Sequence, residues 1–142
     1  MKTLITTLNS KYIHKSLSLR LLYVATKEYH EVDFKEYTIK EDLDTIANDI
    51  IEQKVQVVAF SVYIWNVDLI KILIDKLKKM DPQLVIVIGG PEVSYEIDYF
   101  LDNFKIDYLI SGEGEVAFKE LLDCLETQQP INIQGISRKD KR

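Results

Sequence analysis

Five apolar runs rich in β-branched residues recur along the chain, and segments with helical periodicity separate them. The runs are KTLITTL, VDFKEYTI, VQVVAFSVY, LVIVIGG and IDYLIS, which begin at Lys2, Val32, Val55, Leu84 and Ile106. In the segment after the first run, Leu17, Leu21 and Ala25 repeat every fourth position, so they share one face of a helix. Strands that alternate with helices predict βαβ units and a parallel sheet.

This order of elements predicts a doubly wound, Rossmann-like (flavodoxin-like) α/β fold with a five-stranded parallel sheet of order 2-1-3-4-5 and helices on both faces. Right-handed crossovers make this the commonest arrangement for such a series. The apolar stripes of the helices, such as Leu21 in the first and Phe118 in the last, are interpreted as core. Ligands of such sheets bind at the carboxyl ends of the strands, beside the point where the strand order reverses. We therefore expect functional residues after strands 1, 3 and 4.

Composition and charge limit the possible partners. The 142 residues suffice for one domain, and 46% apolar with 29% charged residues is typical of a folded globular protein. The net charge is −5, and the last six residues, SRKDKR, carry +3, which leaves −8 on the remainder. Such a surface repels nucleic acid. The apolar runs are too short to cross a bilayer and the first residues do not form a secretory signal, so we expect a cytoplasmic domain without membrane partners.

The chain offers little for catalysis or metal binding by itself. Cys124 is the only cysteine, which excludes a disulfide within the chain and a metal centre held by several thiolates. No acid–base pair, nucleophile triad or metal-ligand cluster occurs at a useful spacing. We expect neither catalytic residues nor a protein-held metal site.

Polar, aromatic and glycine residues collect where the predicted strands end. They are Asn9, Ser10, Tyr12 and His14 after strand 1, Ser61, Tyr63, Trp65 and Asn66 after strand 3, Gly89, Gly90, Pro91 and Glu92 after strand 4, and Gly112, Glu113, Gly114 and Glu115 after strand 5. The glycines leave room for a flat ligand or for another backbone, or serve a tight turn. The aromatic residues form the wall of a pocket or pack under a loop. The glutamates stand where a helix N-terminus would bind phosphate, which disfavours a dinucleotide.

The ordered motifs IGGPEVS and DYLISGEGEVAFKELL resemble the cobalamin-binding domain at the N-terminus of many radical S-adenosylmethionine enzymes. LNSKYIHKSLSLRLL, SVYIWN and INIQGISR are similar to the corresponding segments of one subgroup of uncharacterised bacterial members. The resemblance covers nearly the whole chain. It implies that cobalamin lies over the ends of strands 1, 3 and 4, with clearance for its nucleotide tail at Gly89 and Gly90.

The chain departs from the family's wider signature after strand 1. That signature is Asp-x-His-x-x-Gly, and here Tyr12 and Leu17 stand where the aspartate and the glycine would be, around His14. Ser61 matches the family's Ser-x-Leu motif, whereas Tyr63 replaces its leucine. A histidine that ligates a metal needs a carboxylate or similar partner on its other ring nitrogen, and tyrosine is a poor substitute. The resemblance therefore implies cobalamin without a protein axial ligand; His14 otherwise serves as a capping or surface residue.

By the same resemblance, residues 1-128 form the cobalamin-binding domain and residues 129-142 a linker toward an absent radical S-adenosylmethionine domain. That family holds its four-iron cluster with three cysteines, and this chain has one. The iron–sulfur cluster and S-adenosylmethionine would thus be bound only in the catalytic domain. The domain in hand would serve methyl transfer or oxidative ring closure and would not itself be catalytic.

Three other functions are considered. A phosphoacceptor signalling domain needs an aspartate at the end of strand 3, where the chain has FSVY, and a flavin-binding module needs a glycine in the loop TTLNSKY. The remaining alternative is a vestigial, cofactor-free interaction domain that packs on the catalytic domain, because Tyr63, Trp65, Pro91 and Tyr95 would also suit a protein interface.

Overall fold

Strands and helices alternate along the computed structural model, which describes residues 1–10, 17–112 and 114–140. The elements are β1 (Lys2–Asn9), α1 (Leu17–Thr26), β2 (Glu31–Thr38), α2 (Leu43–Glu52), β3 (Val57–Ser61), α3 (Val67–Met80), β4 (Val85–Gly89), α4 (Ile97–Asn103), β5 (Tyr108–Ile110), α5 (Glu115–Thr127) and β6 (Ile136–Ser137). The predicted α/β fold is confirmed.

The sheet has the order β2-β1-β3-β4-β5-β6, so the predicted order 2-1-3-4-5 is confirmed and extended by one strand. The first five strands are parallel, whereas β6 pairs antiparallel to β5. The prediction of five strands is wrong in this detail, because a two-residue strand is too short to leave a periodic pattern. Gly135, with φ +89°, precedes β6, and its carbonyl accepts the Ser111 N–H at 2.8 Å. Part of the predicted linker 129-142 thus belongs to the sheet, and the boundary at residue 128 stays a prediction.

Alternating side chains divide the core between the two faces of the sheet. Leu4 and Val58 are paired in register and belong to the core under α2, α3 and α4. Their neighbours Ile5 and Ala59 belong to the core under α1 and α5. This division follows from the two-residue period of a strand, and burial of each such aliphatic side chain contributes about 1.5–3 kcal/mol of transfer free energy.

The turn after α1 is tied to α5 through His30. The Nδ1 of His30 lies 2.7 Å from Glu126 Oε2, and its Nε2 lies 2.7 Å from Asp123 Oδ1. Lys119 also donates to Asp123, at 2.9 Å, and this bond, followed by the one from His30, holds the pKa of the Asp123 carboxyl below its usual value. These contacts fix α1 beside α5, and the two helices wall the cavity described below.

The described residues form the five helices α1 to α5. Among them, none is both long and apolar enough to cross a bilayer.

Candidate functional site

A cavity of about 630 Å³ opens at the carboxyl edge of the sheet, on the face that α1 and α5 cover. Its floor is formed by residues of two central strands, Ala59 and Ser61 of β3 and Val87 and Gly89 of β4. The register places Ser61 beside Gly89 and Ala59 beside Val87. Three of these four residues are small, so the sheet leaves space below the helices at this point.

The walls of the cavity are mostly apolar and its rim is polar. Leu21 and Leu22 of α1, Ile110 of β5 and Phe118 of α5 line it from the sides. The polar side chains that line it among the described residues are Ser61, Ser94, Tyr95 and Glu115. An apolar interior with a few polar groups at its edge suits a ligand that carries a flat, apolar ring and a polar attachment.

Glycine is found at two positions of this edge for different physical reasons. Gly90 has φ +113°, and a Cβ atom there would lie 2.6 Å from the Val62 carbonyl oxygen. The approach of the neighbouring backbone is therefore sufficient to require glycine at position 90. Gly112 has φ +75°, and a Cβ atom there would meet nothing within 4 Å, so this glycine borders open space at the rim.

Asn66 is a structural residue in the loop after β3. It is fully buried, and its Nδ2 donates to the Leu8 carbonyl at 3.0 Å and to Thr7 Oγ1 at 3.1 Å. Its Oδ1 accepts the Tyr63 N–H at 2.8 Å. The Thr7 hydroxyl in turn donates to the Ser61 carbonyl at 2.7 Å. These bonds join the carboxyl ends of β1 and β3 and occupy the Asn66 side chain with protein partners.

Tyr63 and Trp65 form an aromatic pair beside the cavity. Their rings are parallel within 4°, with centroids 4.5 Å apart, and the Trp65 indole donates to the Leu8 carbonyl at 3.2 Å. Neither side chain is part of the cavity lining. The Trp65 hydrogen bond thus ties the aromatic pair to the end of β1.

Ser94, in the loop after β4, connects two of the strand ends. Its Oγ accepts the Gly112 N–H at 3.1 Å and donates to the Gly90 carbonyl at 3.3 Å. All three residues line the cavity. The sequence did not single out this serine, because a lone hydroxyl four residues after a glycine carries no pattern.

The residues predicted at the strand ends fall into three groups. Those that line the cavity are Ser61, Gly89, Gly90, Pro91, Gly112, Gly114 and Glu115. Those that lie at the same edge but outside the lining are Asn9, Ser10, Tyr63, Trp65, Asn66 and Glu92. Tyr12, His14 and Glu113 lie outside the described residues. Among the described residues, the strands that contribute to the lining are β3, β4 and β5, so the cavity is displaced from β1 relative to the expected position.

Several lining residues were missed because their pattern predicted only core. Leu21 and Phe118 belong to helical stripes, and both nevertheless face the cavity. Ala59 and Val87 were part of apolar strand runs with no special signal.

Across residues 1–10, 17–112 and 114–140, no three His, Cys, Asp or Glu side chains are grouped as a metal site requires. Cys124 is a half-buried free thiol.

Comparison with known proteins identifies the family. Residues 3–122 match the family described as the B12 binding domain. The cobalamin-dependent radical SAM methyltransferase TokK of Streptomyces tokunonensis is 35% identical over 95 residues, which is 65% of this chain and 14% of that protein. The chain therefore spans about a seventh of the length of this relative.

Two solved structures share the fold over nearly the whole chain. The radical S-adenosylmethionine methyltransferase TsrM from Kitasatospora setae, with tryptophan and a SAM analogue bound, superimposes with a TM-score of 0.83 at 20% identity and covers 98% of this chain and 29% of TsrM. The cobalamin-dependent S-adenosylmethionine radical enzyme OxsB, with aqua-cobalamin bound, gives a TM-score of 0.82 at 15% identity and covers 99% of this chain and 21% of OxsB. The family match over residues 3–122 agrees with the observed sheet, so this chain belongs to the family of B12-binding domains.

Proposed function

We propose that this chain is the cobalamin-binding module of a larger radical S-adenosylmethionine enzyme and holds the corrinoid at the carboxyl edge of its sheet. The observation that carries the proposal is the cavity of about 630 Å³ beside Ser61, Gly89 and Gly112, at the edge where doubly wound sheets bind ligands. The family match over residues 3–122 supports the same ligand. A cofactor-free interaction domain has no comparable use for this cavity.

The residues present fit one part of cobalamin well. The cavity lies within the range of about 300–1,000 Å³ that holds drug-sized ligands, which is enough for the nucleotide tail and too little for the whole cofactor. Its apolar walls suit the benzimidazole ring, and the open space at Gly112 leaves a path for the connecting chain. The tail would thus enter the cavity, and the corrin ring would lie above the strand ends. When bound, the cofactor supplies a cobalt centre for methyl or radical transfer.

The polar groups of the lining would orient the tail. The Ser61 hydroxyl lies at the floor, and Ser94 and Glu115 lie at the rim. A carboxylate at the N-terminus of α5 accepts hydrogen bonds from hydroxyl and amide groups and repels phosphate. Glu115 would therefore contact ribose or corrin amide groups and leave the phosphate of the tail toward solvent.

We further propose that cobalamin binds here without a protein axial ligand. In the sequence, Tyr12 stands at the motif position of the carboxylate that would orient a ligating His14. The residues that would hold the cofactor are then those around the tail cavity, such as Ser61 and Glu115, and none of the described polar residues lining that cavity is a histidine. A His14→Ala variant is expected to give the same visible spectrum with hydroxocobalamin as the parent, and loss of a cobalt–nitrogen signal in this variant would contradict the proposal.

The exposed apolar residues at the same edge fit a covering domain. Ile64 is 77% exposed, Tyr95 90% and Val116 71%, and Tyr95 lines the cavity. Exposed apolar groups beside a binding site are typical of an interface. The radical S-adenosylmethionine domain, reached through the segment 129-142, would cover them, and it would hold the iron–sulfur cluster and S-adenosylmethionine.

A titration with hydroxocobalamin tests the proposal, followed by visible spectroscopy and calorimetry. Saturable binding with one site per chain is expected. Flavin mononucleotide serves as the control ligand, since flavodoxin-like sheets bind it and the Glu115 side of this cavity disfavours its phosphate. Binding of the flavin in preference to the corrinoid, or of neither, would contradict the proposal; the second result would favour the interaction domain.

A further inference from the structure

Ser94 is the side-chain link between the end of β4 and the loop after β5. The Gly112 N–H donates to Ser94 Oγ at 3.1 Å, and the Ser94 hydroxyl proton is directed to the Gly90 carbonyl at 3.3 Å. One hydroxyl thus serves as acceptor on one side of the cavity rim and as donor on the other. The hydroxyl thus uses its one proton as a donor and one of its lone pairs as an acceptor.

The two ends of this link differ in how firmly the rest of the protein holds them. Gly90 lies against the backbone of Val62, and the Val62 N–H donates to the Gly89 carbonyl at 2.8 Å, so the β4 end is fixed to β3. Gly112 is exposed, and its φ of +75° lies in the left-handed region. A Cβ atom added at Gly112 would meet nothing within 4 Å. The Ser94 bond therefore connects a rigid strand end to Gly112, an exposed residue of the loop after β5.

We propose that Ser94 is a positioning residue that holds the Gly112 loop at the cavity width required by the nucleotide tail of a corrinoid. The inference rests on the proposed function, since it concerns the same cavity. A rim that is already ordered loses less conformational freedom when a ligand binds, so affinity is higher than for a mobile rim. The nucleotide tail is the part of the ligand that passes this rim, so the Ser94 link should affect the binding of the tail and not that of the corrin ring.

Two corrinoids separate this role from a general effect on the fold. Hydroxocobalamin carries the nucleotide tail, whereas cobinamide has the same ring without the tail. A Ser94→Ala variant is expected to bind hydroxocobalamin about tenfold more weakly than the parent, which is the effect of one lost hydrogen bond. Its affinity for cobinamide is expected to stay within about twofold of the parent's. Ser94→Thr keeps the hydroxyl and should restore most of the difference.

A matched control is available on the same edge. The Ser111 hydroxyl donates to the Gly135 carbonyl at 3.3 Å and lies outside the cavity lining, so Ser111→Ala removes a similar bond next to Gly112 without removing a lining side chain or the Ser94 link. It is expected to leave both affinities unchanged. Thermal unfolding of every variant checks that the domain is folded at the temperature of the titration.

The outcomes distinguish the inference from the function on which it rests. A parent protein that binds neither corrinoid contradicts the proposed function and the inference with it. A parent that binds hydroxocobalamin normally, with Ser94→Ala equal to it, contradicts the inference alone. Equal losses for both corrinoids in Ser94→Ala also overturn it, because the effect would then not belong to the tail.

Discussion

The backbone of Val62 passes directly against Gly90: a Cβ atom on Gly90 would lie 2.6 Å from the Val62 carbonyl oxygen and 3.0 Å from its amide nitrogen. Gly90 also has φ +113°, a conformation that L-residues with side chains rarely adopt. Two independent constraints, steric and conformational, thus require glycine at this position. The second glycine of the GG pair is therefore part of the sheet's architecture.

Gly90→Ala is expected to lower the free energy of unfolding by about 2–4 kcal/mol, because the methyl group strains the backbone and displaces Val62. Gly89→Ala is the matched control. A Cβ there would lie 3.5 Å from the Ile110 carbonyl oxygen, which is an ordinary contact, and the φ of Gly89 lies outside the left-handed region. Urea denaturation of both variants measures the difference, and equal stability of the two would contradict this assignment.

Asn66→Ala is expected to lower the free energy of unfolding by about 2–3 kcal/mol, because the Tyr63 N–H loses its acceptor and the end of β1 loses a buried donor. Asn48, exposed on α2, provides the control, and Asn48→Ala should change the stability by less than about 0.5 kcal/mol. Chemical denaturation measures both. A loss of corrinoid affinity in Asn66→Ala without any loss of stability would instead make Asn66 a ligand contact.

Strand order could be predicted because the signals for it are long and redundant. The central strands β3 and β4 contain the continuous apolar runs VVAF and VIVI, and right-handed crossovers leave few arrangements for a series of alternating strands and helices. The sixth strand carries no such signal, since Ile136 and Ser137 pair with β5 only after Gly135 has reversed the chain. Its position depends on a backbone conformation, not on hydrophobic periodicity.

The location of the candidate site was predictable, but its composition was only partly so. The glycine pairs marked the correct edge, since the strand ends lie together in a parallel sheet. The floor of the cavity includes Ala59 and Val87 on neighbouring strands, and only the register places these two residues side by side. Asn66 was expected to contact cofactor, yet its side chain bonds to β1, because long-range pairing decides which neighbours a buried amide meets.

The Asp49 carboxylate makes stability depend on pH. Lys35 donates to it at 2.7 Å and the Tyr37 hydroxyl also donates to it; these bonds, that of Lys35 first, hold the pKa of Asp49 below its usual value. A carboxyl whose pKa is lower in the folded state stabilises the protein above its unfolded pKa of about 3.9. That contribution is lost as the pH falls through the lower, folded value.

Asp49→Asn is therefore expected to be less stable than the parent at neutral pH, with a difference that narrows below about pH 4. Asp33→Asn, on the exposed face of β2, is the control for the loss of a surface carboxylate and should change the stability at neutral pH by less than about 0.5 kcal/mol. Urea denaturation between about pH 3 and about pH 7 checks both curves. A constant difference between Asp49→Asn and the parent would show that the carboxylate acts through packing instead of charge.

Ala59→Leu tests whether the cavity itself holds the corrinoid tail. Ala59 is buried at the floor of the cavity, so the three added carbon atoms would enter empty space and the fold should be retained. Val116→Leu enlarges a residue that is 71% exposed on α5 and outside the lining, and it serves as the control.

The expected result for Ala59→Leu is a loss of hydroxocobalamin affinity of about tenfold or more, with cobinamide affinity close to the parent's. The reason is that the leucine occupies volume that only the tail would use. Calorimetric titration of both variants with both corrinoids measures the effect. If Ala59→Leu is folded and binds hydroxocobalamin like the parent, the tail does not occupy this cavity. If its affinity for both corrinoids falls equally, the ring itself must lie where the leucine was introduced.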